Sequence, residues 1–137
     1  MRLFAKICLV PSGLVSLCLY SAISNCSADN WQAQVVDGEQ LYQQCTGCHA
    51  PNNNRTGPKH CGVIGRRAGT LANYEFSPAM RAATIVWTAA TLDQFLQSPL
   101  TFIPGNRMTI AGIKDASQRR ALIMYLTQLN DSNELCH

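Results

Sequence analysis

The chain has 137 residues, 47% of them hydrophobic and 14% charged, and carries a net charge of +3 from 11 Lys and Arg against 8 Asp and Glu. That length leaves room for one domain, and its apolar content excludes a disordered chain, which combines low hydrophobicity with high net charge. A charge this small, without a basic run, argues against a nucleic-acid binder, and seven cysteines are an odd number that cannot all pair internally.

Arg2 and Lys6 lead into an apolar stretch from Ile7 to Ile23, and Cys26 and Ala28 offer small residues at the −3 and −1 positions of a cleavage site. This predicts a secretory signal peptide over residues 1–28, cleaved after Ala28. An uncleaved anchor is the competing reading, but Pro11, Ser12, Gly13 and Ser16 dilute the stretch, and its 17 residues are marginal for a span. Cleavage leaves a domain over residues 29–137 with nine Lys and Arg, eight Asp and Glu, and the cysteines Cys45, Cys48, Cys61 and Cys136.

In chain order, Asp37 with Gln40 three residues on reads as a capped helix start leading toward Cys45. A second helix is predicted from about Thr88 to Gln97, with Leu92, Phe95 and Leu96 on one face and Pro99 as its stop. The third opens at Asp115 and Gln118 and carries the stripe Ala121, Leu122, Tyr125, Leu126 and Leu129. No segment alternates as a strand, so the fold class is all-α, with three main helices. Between the helices lie long loops, residues 50–73 and 98–112, rich in Gly, Pro, Asn and Arg. Loops of that length need something to fix them, and three short helices bury little apolar area against the entropy of ordering the chain. The sequence implies a core component beyond its own side chains, and a large apolar cofactor would supply it.

The pentapeptide Cys45-Thr46-Gly47-Cys48-His49 points to that cofactor. C-x-x-C-H is the attachment signature of c-type haem: two thiols at this spacing bond covalently to one porphyrin, and the next residue presents an imidazole to the iron. A redox C-x-x-C belongs in a βαβ pattern, which is absent here. A zinc site from Cys45, Cys48, His60 and Cys61 has suitable ligands but leaves His49 unexplained. A disulfide within the motif is the remaining rival. For the sixth iron position, Met108 follows the turn Pro104-Gly105-Asn106-Arg107 and is the favoured thioether, since Met80 and Met124 lack that setting. His60 and His137 compete with it, although a lone loop histidine usually faces solvent.

The chain resembles the class I c-type cytochromes, small bacterial relatives of mitochondrial cytochrome c. The resemblance rests on Asp37-Gly38-Glu39, Cys45–His49, Thr56-Gly57-Pro58, Gly62–Arg66, Trp87, Ile103–Met108 and Leu122–Leu126, in family order and at family spacing. It implies one covalent haem c on Cys45 and Cys48, with His49 and Met108 as axial ligands. It further implies a hydrogen bond from His49 to the Pro58 carbonyl, a second partner of the kind that orients a ligand imidazole. Arg66, Tyr74 and Trp87 match positions that serve the haem propionates, and Gly38, Tyr42, Leu122 and Tyr125 match the crossing of the terminal helices.

Three positions depart from the family pattern: Phe95 stands where a tyrosine is frequent, and Met80 and Phe76 replace polar residues near the haem. These changes dry the pocket and imply a Met108–iron bond more easily displaced than in polar-lined members. The ring of lysines common in mitochondrial relatives is also largely missing. In an oxidising compartment Cys61 and Cys136 are left either to pair or to remain free thiols. The implied function is a periplasmic, monomeric single-electron carrier without catalysis, whose partners are other redox proteins, donors and acceptors in the periplasm or its membrane, and not nucleic acid. Two other readings stay open: a haem subunit dedicated to one dehydrogenase or oxidase, and a ligand-binding or peroxidase-like haem protein with a labile sixth position.

Overall fold

The computed structural model describes the backbone from Leu19 to His137 and side chains from Asn30 onward. The basic n-region and most of the apolar stretch of the expected signal peptide therefore lie outside the described residues. The chain divides into two units, Met1–Trp31 and Gln32–His137, and every candidate site residue belongs to the second. Among the described residues five α-helices occur in the order α1 Leu19–Tyr42, α2 Pro78–Ala82, α3 Ala89–Gln97, α4 Pro99–Phe102 and α5 Ala116–Gln128. Short 3-10 turns follow at Gln43–Cys45 and Glu134–Cys136. Among the described residues the only β pairing is an isolated bridge between Arg67 and Val86, and no helix is long and apolar enough to cross a membrane.

Local chemistry explains most of these elements. In α3, the Thr88 hydroxyl accepts from the Thr91 amide at 3.2 Å while the Thr88 amide donates back to the Thr91 hydroxyl at 2.8 Å. That reciprocal cap satisfies two otherwise orphaned N–H groups. In α5, one carboxylate oxygen of Asp115 accepts from the amides of Ser117 and Gln118 at 2.7 and 3.1 Å. The expected cap at Asp37 is not a helix start, because α1 already runs through it from Leu19 and the preceding turns satisfy its amides. The end of that helix also differs: it closes at Tyr42, and Gln43–Cys45 tighten into a 3-10 turn. Pro99 is likewise more than a stop. Ser98 breaks α3, and Pro99 then begins α4, where its missing N–H costs nothing. The residues 50–73 and 98–112 are held by specific bonds. Trp87 and Arg66 pair through Trp87 N–H to Arg66 O at 2.9 Å, flanked by Gly65 N–H to Trp87 O at 2.8 Å, and Gly62 N–H reaches Leu129 O at 2.7 Å.

Three contacts organise the core. α1 and α5 cross at Gly38, where a Cβ would stand 2.1 Å from the Ala121 carbonyl oxygen, so only glycine permits the approach. Beside that crossing the rings of Tyr42 and Tyr125 meet with centroids 5.0 Å apart. α3 presents buried Leu92, Phe95 and Leu96 to a core that also holds Leu122, Ile123 and Leu126 of α5. Arg119, 5% exposed, locks these two helices together. Its guanidinium grips both Asp93 carboxylate oxygens at 2.7 and 3.3 Å and donates to the carbonyls of Ile113 and Lys114 at 3.0 and 2.9 Å. A buried cation is tolerated because each face of the fork has a partner.

Candidate haem site

The C-x-x-C-H segment leaves the 3-10 turn after α1 as one tight coil. Cys48 N–H and His49 N–H both return to the Cys45 carbonyl, at 3.1 and 2.9 Å. This brings two unpaired thiols, half-buried Cys45 and exposed Cys48, beside a buried imidazole. Burial, followed by the charge of Cys48, raises the Cys45 pKa. His49 is pushed the other way, toward the neutral ring, by burial, which outweighs the opposing Pro58 bond. Its Nδ1 lies 2.7 Å from the Pro58 carbonyl oxygen, so that nitrogen is already used as a donor. The remaining nitrogen, Nε2, is the one available to a metal.

Gly57 completes the His49 cradle. A Cβ there would lie 2.2, 2.5 and 2.6 Å from Cε1, Nδ1 and Nε2 of His49. Distances so nearly equal put it over the face of the ring. The other resident of this pocket is His60, whose ring stacks on His49 with centroids 4.3 Å apart and planes 20° from parallel. The sequence reading weighed His60 as a solvated loop side chain or a rival iron ligand; the structure lays its ring on His49 instead. Burial, with the charges of His49 and Arg66 adding to it, pushes His60 down to about 3. His137 is exposed, and its backbone carbonyl accepts from Asn52 Nδ2 at 3.4 Å.

The remaining predicted residues take up defined places. Arg66 donates to the carbonyls of Cys61 and Lys59 at 3.2 and 3.0 Å, bracketing His60. Tyr74 gives its one hydroxyl proton to the Thr56 carbonyl at 2.6 Å. In this arrangement it ties the Thr56-Gly57-Pro58 loop to the segment around Tyr74. Trp87 is buried against Phe95 with centroids 5.0 Å apart, and Phe95 in turn meets Phe102 at 6.3 Å, an aromatic wall without a hydroxyl. Met108 is half-buried against the core.

Asn106, which sequence reasoning passed over, is the staple of the methionine loop. Fully buried, it donates to Pro99 O and Ile103 O at 2.7 and 2.8 Å and accepts from Met108 N–H at 2.7 Å. Its only signal was position, a polar amide two residues before the methionine in a turn. Cys61 and Cys136 are joined in a disulfide with Cα atoms 5.7 Å apart, which settles the pairing left open by the sequence.

Two free thiols, an imidazole with one nitrogen anchored, and a glycine with no room for a Cβ fit a covalently held haem. The elements define a protein that carries covalent haem among helices and tied-down loops. Residues 35–130 match the family described as Cytochrome c, and the chain belongs to the cytochrome c family. It is 40% identical over 101 residues to cytochrome c2 of Agrobacterium tumefaciens (strain II Chrys), covering 69% of this chain and 91% of the relative. Identity to cytochrome c 2.1 of Caenorhabditis briggsae is 41% over 92 residues, covering 65% of this chain and 82% of that one. Among solved structures, cytochrome cH from Methylobacterium extorquens superposes with a TM-score of 0.67 at 34% identity, covering 69% of this chain and 97% of that one. The all-α class I fold and the c-type haem with its iron follow from this membership, and the protein is a haem-bearing electron carrier.

Proposed function

We propose that this chain is a periplasmic single-electron carrier, exported by residues 1–28, with haem bonded to Cys45 and Cys48 and ligated by His49 and Met108. The observation that carries this reading is His49: buried, anchored at Nδ1 by Pro58 and flanked by two unpaired thiols. When bound, the haem supplies a one-electron iron couple. His49, held at Nδ1 by Pro58, would offer Nε2 to the iron, and Met108, its backbone held by Asn106, would offer its thioether. Met/His ligation raises the haem potential. Trp87, Phe95 and Phe102 would keep water from the haem pocket, and Arg66 would supply positive charge to its propionates. The Cys61–Cys136 disulfide accords with an oxidising compartment.

With both axial positions filled from the chain, the reduced protein is expected to give the same visible spectrum with and without carbon monoxide. A carbon monoxide adduct at equilibrium would instead favour a ligand-binding haem protein.

The docking surface is apolar and weakly charged. Leu100 and Ile110 are 49% and 42% exposed. The neighbouring bases are partly engaged, Lys114 with the Gln97 carbonyl at 2.9 Å and Arg107 with Glu75 at 4.0 Å. A protein of nearly balanced charge has little field to steer a partner; strongly steered association gains roughly 10- to 1000-fold. Electron transfer to an isolated partner is therefore expected to change by less than about threefold between low and moderate ionic strength, where steered association would fall steeply. Stopped-flow kinetics over that range check this, and a steep decline would mean that charge, not apolar contact, guides docking.

A further inference from the structure

We propose that His60 is a positioning residue for the proximal imidazole: stacked on His49 and tied to the Tyr42 hydroxyl, it fixes the plane in which the His49 ring meets the iron. This rests on the reading of His49 as an iron ligand. The Pro58 hydrogen bond fixes one atom of His49 and the Gly57 backbone crowds its ring, but neither offers a flat partner against rocking about the line through Nδ1. A second planar ring lying 4.3 Å away and within 20° of parallel opposes that rocking.

His60 can do this because its own position is over-determined. Its Nδ1 lies 3.0 Å from the Tyr42 hydroxyl, and the two rings also meet edge-on at 5.5 Å. Tyr42 is itself buried at the crossing of α1 and α5, and burial keeps its phenol protonated. The backbone around His60 folds straight back onto the residues after His49. His60 N–H bonds to the carbonyls of Ala50 and Pro51 at 3.2 and 3.1 Å, and Cys61 N–H bonds to Pro51 O at 2.8 Å. Arg66 holds the carbonyls on both flanks of His60, and the Cys61–Cys136 disulfide pins the next residue. An aliphatic residue at position 60 would fill the space, but it would have no flat face to lay on His49 and no bond to Tyr42. The polar tether also suits a half-buried ring: a polar group taken out of water without that partner would carry a desolvation penalty.

The test uses the oxidised holoprotein and proton NMR of its paramagnetic haem methyl groups, whose shifts depend on the orientation of the axial imidazole plane and not on overall stability. His60→Leu is expected to narrow the spread between the largest and smallest methyl shifts, because a freer His49 ring averages over orientations. Tyr42→Phe, which removes one hydroxyl and keeps the helix crossing, is expected to move the same resonances in the same direction by less. The double variant should move them no further than His60→Leu alone, since Tyr42 acts through His60. Unchanged methyl shifts in His60→Leu would overturn the proposal even if the variant melted earlier, and so would additive shifts in the double variant. The His49→Ala variant separates the underlying reading: with the histidines isotope-labelled, loss of the hyperfine-shifted ring signals relative to wild type supports His49 as ligand, and their persistence overturns both claims.

Discussion

Gly57→Ala is expected to yield little holoprotein and to destabilise what forms by about 3 kcal/mol, at the upper end of overpacking penalties. The added methyl would stand 2.2 to 2.6 Å from three atoms of the His49 ring, so one of the two must move. Gly57 is held on both sides, donating its N–H to Cys48 O at 2.7 Å and accepting from Arg55 N–H at 2.9 Å. His49 can shift only by giving up its 2.7 Å contact with Pro58 and its stack on His60. The natural control is Gly47, also inside this region, where an added Cβ meets nothing within 4 Å. Gly47→Ala is expected to stay within about 0.5 kcal/mol of the parent, as surface changes usually do. Covalent haem per chain and the denaturant midpoint of each variant check the pair, and equal behaviour of the two would show that the cradle around His49 is not tight.

Removing the Cys61–Cys136 bridge is the second large effect. The bridge joins residues 75 apart in sequence, and loop closure on that scale is expected to contribute about 4 kcal/mol by restricting the unfolded chain. It also pins the segment after Pro58 to the C-terminal tail, next to the Gly62 to Leu129 bond. The double variant Cys61→Ala, Cys136→Ala should therefore unfold at lower urea concentration with a larger m-value, because its denatured state is more expanded. A midpoint equal to the parent's would mean that the bridge adds nothing. Thiol counting on the parent holoprotein without reductant should find no reactive Cys61 or Cys136.

The parts of this fold legible in the sequence are those with a repeating signal or a fixed spacing. α3 and α5 announced themselves through Thr88 and Asp115 and through buried stripes that the structure keeps. The C-x-x-C-H spacing and Gly38 at the helix crossing were equally plain. α2 and α4 were missed because five and four residues hold no measurable period. Each is marked only by a serine followed by proline. The Arg119–Asp93 pair spans 26 positions, and nothing local distinguishes Arg119 from the exposed Arg120 beside it. His60 was misread for a related reason. Its half-buried place against His49 arises from the chain folding back through Ala50 and Pro51, a tertiary contact that a loop composition does not encode. The Tyr74 bond to the Thr56 carbonyl was not legible either, since it depends on how two loops meet.

The phenylalanine at position 95 sharpens the question of the sixth ligand. It sits between Trp87 and Phe102, so it offers no hydroxyl to a methionine sulfur, and Met108 depends on the Asn106 staple to keep its place. The direct test is the sulfur-to-iron charge-transfer band of the oxidised holoprotein at neutral pH. The band is expected in the parent and in Met80→Leu, and it should vanish in Met108→Ala. A parent without the band, or a Met108→Ala variant that keeps it, would contradict His49 and Met108 as the axial pair.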